Sequence, residues 1–173
     1  MPGPVSIGDE APNFDLSSTE DALLMLKDEV SRTAVLVYFF ADPASERAHR
    51  DLDALSRRLG KLAGLRARVL GVSPAKLDDL KKLQAERKIL FPLLHDDRNF
   101  SAAYGVAPPE EGKPAALALV LVGRRQRILW QANPVAAVEE ALPQVEKVLS
   151  DQPSPTRSYP KSVINRWIDR WVN

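Results

Sequence analysis

Three short stretches of this chain are apolar almost without a break: residues 34–40 (AVLVYFF), 67–73 (ARVLGVS) and 116–122 (ALALVLV). A strand with one face in water alternates apolar and polar side chains. These stretches do not alternate, so each needs cover on both faces. Helices on either side of a sheet supply such cover, and the intervening segments have the right spacing. Leu52, Leu55, Leu59 and Leu62 recur three or four apart among charged residues over 45–63. Leu77, Leu80, Leu83 and Ile89 do the same over 75–89, behind Pro74 at a first-turn position. A last helix is expected over 134–150 on Val135, Val138, Leu142, Val145 and Val148, with a kink or break at Pro143.

The remaining segments are shorter. Residues 5–18 read as an extended lead-in, and 19–31 as a short helix capped by Ser18 or Thr19 and carrying Leu23, Leu24, Leu26 and Val30. Residues 90–94 are a short extended piece, followed by one helical turn around 98–104 and a proline-containing loop over 105–114. Residues 127–132 form a strand that pairs with 116–122 through a hairpin at 123–126. The order β-α-β-α-β-β-α predicts an α/β fold, a mixed central sheet flanked by helices on both faces. It resembles the thioredoxin-like arrangement. One domain over 5–150 is expected, then a proline-rich linker over 151–160 and an amphipathic helix over 161–173.

Composition narrows the chemistry. With 173 residues and 45 % hydrophobic content, the chain buries a core without covalent help. It has no cysteine, which removes disulfides, thiol catalysis and thiolate metal sites together. The net charge of +1 gives no global attraction to nucleic acid, and no glycine-rich phosphate loop is present. The amino terminus lacks a basic, then apolar leader and no stretch has the length of a spanning helix, so a cytoplasmic protein is expected.

Several separated motifs resemble one family. Ile7-Gly8-Asp9-Glu10-Ala11-Pro12-Asn13-Phe14-Asp15-Leu16 is similar to the G-x-x-A-P-x-F-x-L opening of peroxiredoxins. Val35 to Phe40 resembles their strand before the catalytic loop. Val69-Leu70-Gly71-Val72-Ser73, Phe91-Pro92-Leu93-Leu94-His95-Asp96 and Ala103-Tyr104-Gly105-Val106 follow in the family's order. The nearest flavour is the bacterioferritin-comigratory, or Q-type, branch of the alkyl hydroperoxide reductase/thiol-specific antioxidant group. Active members carry P-x-x-x-T-x-x-C, in which the proline shapes the loop, the threonine binds peroxide and thiolate, and the cysteine attacks. The resemblance places Ala41, Ser45 and Ala48 on those positions. The family's arginine falls within residues 115–119, which read Ala-Ala-Leu-Ala-Leu. An engineered cysteine-to-alanine change would leave proline, threonine and arginine in place, so loss at several positions at once reads as natural decay. The resemblance therefore implies a cysteine-less, redox-inactive homologue without cofactor or metal, since an alanine methyl cannot replace a thiolate.

Other candidates read as structure. Ser45 and His49 lie one helical turn apart and could meet as a nucleophile and base, but Ser45 suits a helix cap better. Asp96 or Asp97 reads as a cap and not, with His95, as a metal site. Arg124, Arg125 and Arg127 read as a solvated hairpin tip.

The tail is distinctive. Val163, Ile164, Trp167, Ile168 and Trp171 recur on one helical face, with Lys161, Arg166, Asp169 and Arg170 on the other. A 13-residue helix is too short to persist alone, so this face needs cover: its own domain, another protein chain, or a membrane surface. The linker and the Trp–Arg composition favour another chain, as a homo- or hetero-oligomer. The alternatives to this accessory role are a homology-derived antioxidant enzyme without a thiol, and a small-molecule sensor built on the old pocket.

Overall fold

The computed structural model of the protein describes residues 5–106 and 117–153. Its elements run β1 (Asp15–Ser17), β2 (Leu23–Met25), α1 (Leu26–Val30), β3 (Ala34–Phe39), α2 (Glu46–Gly64) and β4 (Ala67–Ser73). There follow α3 (Leu77–Arg87), β5 (Leu93–His95), α4 (Asn99–Ala103), β6 (Ala118–Val122), β7 (Ile128–Ala132) and α5 (Val138–Ser150). Five strands form one sheet in the order β5-β4-β3-β6-β7. β4 lies parallel to β3, and β5 parallel to β4; β6 and β7 complete the sheet antiparallel.

The unbroken apolar runs divide by strand period. Leu36, Tyr38 and Phe40 point to the side that holds α2, α3 and α5. Val35, Val37 and Phe39 point to the other, where Leu26 and Val30 of α1 and Phe100 of α4 close the core. This is the expected α/β arrangement of the thioredoxin type, with helices on both faces. Gly71, inside β4, has a structural reason: a Cβ there would stand 2.6 Å from Leu93 and 3.3 Å from Phe40.

The expected helix over 19–31 is corrected. Residues 18–22 turn back through a Ser18 amide bond to the Ala22 carbonyl, with Asp21 at a φ of 57°. Asp15–Ser17 and Leu23–Met25 then pair as a hairpin, and only Leu26–Val30 is helical. Thr19 is not a cap. Its amide donates to the Leu93 carbonyl and its hydroxyl accepts from the Leu93 amide, which ties the hairpin to β5. Residues 93–95 are a full sheet member, parallel to β4 on one side and joined on the other by an isolated bridge between Ser18 and Leu94. α5 begins at Val138, later than position 134, and passes Pro143 without a break. The linker over 151–160, beyond residue 153, and the segment 161–173 lie outside the described residues, as does most of the 105–114 loop.

Candidate functional site: the loop before the longest helix

The loop after β3 leads into α2, the longest helix described. Ser45 is its cap: extended backbone at φ −65° and ψ 129° lets its hydroxyl accept from the Ala48 amide at 3.4 Å. Asp42 shapes the approach by accepting from the Ala44 amide at 2.8 Å. His49 turns the other way, its Nε2 donating to the Pro43 carbonyl at 2.7 Å. Ser45 and His49 are thus not brought together as nucleophile and base. Ala48, in the first turn, is 0 % exposed and packs in the core beside Leu52 and Tyr38. Ala41 and Ser45 are half-buried at the lip.

The start of β6 lies against this loop, because Ala118 pairs with Phe39. Leu117, Ala118 and Leu119 are buried apolar residues, so this strand offers no cation to a group at position 48.

Sequence reasoning missed the polar network beneath. Tyr38 donates its hydroxyl to Asp51 at 2.7 Å, and Asp51 also accepts from the Val138 amide at 3.4 Å. Arg47 lies 3.9 Å from Asp51 and donates to the carbonyls of Val135 and Ala136. Burial first, then the Asp51 charge, pushes the Tyr38 phenol far up from its ordinary 10.0. Its available signal was a lone hydroxyl in an otherwise apolar strand, facing an Arg–Asp pair at helical spacing. The network joins the start of α2 to the start of α5.

A second concavity of about 530 Å³ lies elsewhere, lined among others by Asp15, Ser17, His95, Asp97 and Asn99. Asp96 gives both carboxylate oxygens to the start of α4, accepting from the Phe100 and Ser101 amides at 3.1 and 2.8 Å. His95 binds the Ala75 carbonyl through Nδ1 at 2.7 Å. These side chains thus serve local structure, as a cap and a loop tie.

The family model for AhpC/TSA matches residues 7–131. The chain belongs to the AhpC/TSA family. Two curated relatives from Mycobacterium tuberculosis, provisionally named peroxiredoxins, are 30 % identical to it over 99 residues. That match takes in 57 % of this chain and 62 % of each relative, so it spans less than two thirds of their length. Among solved structures, the peroxidoxin BcpB of M. tuberculosis superposes with a TM-score of 0.78 at 18 % identity, over 86 % of this chain and 98 % of that one. A cysteine-to-serine mutant of PrxQ from Xylella fastidiosa gives 0.76 at 20 % identity, over 84 % and 98 %. These likenesses show the fold, a thioredoxin-like fold of the peroxiredoxin type. Within the AhpC/TSA family this chain is a cysteine-less member. Among its described residues no helix is long and apolar enough to cross a membrane.

Proposed function

We propose that this AhpC/TSA protein is a redox-inactive binding module, a cytoplasmic accessory subunit that docks on another protein chain through residues 161–173. The observation that carries the first half is Ala48: a buried methyl in the first turn of α2, where the family resemblance places the peroxide-attacking thiol. Peroxidase chemistry needs a thiolate that is oxidised while the O–O bond breaks. The hydroxyl the loop itself carries, Ser45, is engaged as a cap, and the Tyr38 hydroxyl is bound to Asp51. The second half rests on the sequence of the tail, whose Val163, Ile164, Trp167, Ile168 and Trp171 form the face to be covered.

Peroxide consumption by the pure protein with dithiothreitol tests the first half. Consumption at the buffer rate is expected, and turnover above it would refute the inactive reading. The second half is tested by comparing full-length bait, a 1–150 truncation and a Trp167→Ala/Trp171→Ala variant. One protein held by the first and lost by both others is expected. Equal recovery with all three baits removes the tail as the contact.

A further inference from the structure

The strand registers gather three turns at one end of the sheet. Ala34 opens β3 opposite Ala67, which opens β4, and Val35 faces Val122, which closes β6. The turns just beyond carry Arg32, Arg66 and the tip Arg124–Arg125, with Arg127 at the start of β7. The Ala34 amide bonds the Arg66 carbonyl, and Gly123 and Arg127 close the hairpin tip at 2.8 Å. All five arginines are exposed. Among the described residues none has a carboxylate within 4.0 Å.

The acids at the same end do not offset this charge. Glu29 is taken by Arg68, and Glu146 by Arg58 and Lys61. Asp9, Glu10 opposite Arg127, Asp28 and, at the end of α5, Asp151 are exposed there too, and with Lys147 the basic groups stay in excess of them. By contrast, Glu46, Asp78, Asp79, Glu139 and Glu140 occupy first turns of helices at the opposite end. A net charge of +1 therefore hides a molecule with one basic pole. α5 ends at this pole as well, since Glu146 reaches Lys61 near the end of α2.

We infer that this pole lies against an anionic lipid surface. Arginine serves protein and lipid partners alike, but the turns that carry these five hold no tryptophan or tyrosine to anchor a protein interface. They sit on three separate turns at one end of the sheet. Exposed Ile7, whose neighbour Gly8 bonds the Ile128 carbonyl beside Arg127, adds an apolar contact at the headgroup level. The charge would meet the anionic cytoplasmic leaflet. The inference stands apart from tail-mediated docking, because its residues belong to the folded domain.

The test is co-sedimentation of the full-length protein with vesicles of phosphatidylcholine, with or without phosphatidylglycerol, at low and high salt. Binding only to the anionic vesicles, released by salt, is expected. Arg124→Glu/Arg125→Glu should weaken it by about 25-fold or more, at about fivefold for each arginine. Arg50→Glu/Lys76→Glu, an equal charge change at the other pole, should bind like wild type; circular dichroism checks that both variants are folded. No binding to anionic vesicles overturns the inference. So does equal loss in the two variants, or binding that is insensitive to both. Arginine-dependent retention of an acidic protein or a nucleic acid without vesicle binding would assign the pole to that partner and also overturn it.

Discussion

Position 48, where the family resemblance places the reactive thiol, carries a methyl closed in by its surroundings. Ala48 is fully buried, and the nearest hydroxyl and imidazole are spent on Ala48 and Pro43 backbone groups. Reintroducing the thiol alone should therefore not restore chemistry. Ala48→Cys is expected to resist aromatic disulfide reagents until the protein is unfolded in urea, and to consume no peroxide; rapid labelling of the native variant would contradict this. Tyr38 makes a second prediction. It and Tyr104, whose phenol burial also raises, keep their protons when an unfolded tyrosine, with an ordinary value of 10.0, has lost its own. Unfolding then releases protons, so stability is steady below pH 10 and falls above it, by about 1.4 kcal/mol per pH unit for each phenol. Thermal melts from pH 8 to 11 should show this fall, and Tyr38→Phe should halve its slope. The family resemblance around position 48 was legible in the sequence because a motif with a missing residue is still a motif. The Tyr38–Asp51–Arg47 network was not, because its members are 13 residues apart or join through backbone groups of residues 135–138.

Among the elements, the long and strongly patterned ones were readable and the short ones were not. β3, β4 and β6 announced themselves by unbroken apolar runs, and α2 by leucines at helical spacing. The β1–β2 hairpin did not, because Leu23, Leu24 and Leu26 fit a helix as well as a strand. Its fate is settled by Thr19 bonding to Leu93, 74 residues away. Pro143 illustrates the converse: local chemistry predicted a break, and packing of Leu142 and Val145 on the core holds the helix through it. Pro143 is exposed and its ring removes a bond to the Glu139 carbonyl. Pro143→Ala should stabilise the protein by about 1–3 kcal/mol in urea titrations. Gly71→Ala should do the reverse, costing about 1–3 kcal/mol, because its methyl would meet Leu93 and Phe40 inside a full core.

For the whole molecule, the two faces of the sheet have separate tasks. One packs α1, α4 and the hairpin; the other packs α2 and α5 side by side, running the same way. Those two helices are fastened twice: near their starts by Arg47 and Asp51, and towards their ends by Arg58, Lys61 and Glu146. Asp51→Ala strips the first fastening, leaving Tyr38 and the Val138 amide without their acceptor, and should cost about 3 kcal/mol. A lower urea midpoint with an unchanged slope would be the signature. The double fastening also bears on time. The first turn of α2 has no independent route to opening, since unwinding it must first release α5. Its amide hydrogens should therefore exchange with deuterium only as fast as the whole domain comes apart, which puts the turn that carries Ala48 among the slowest of the described residues.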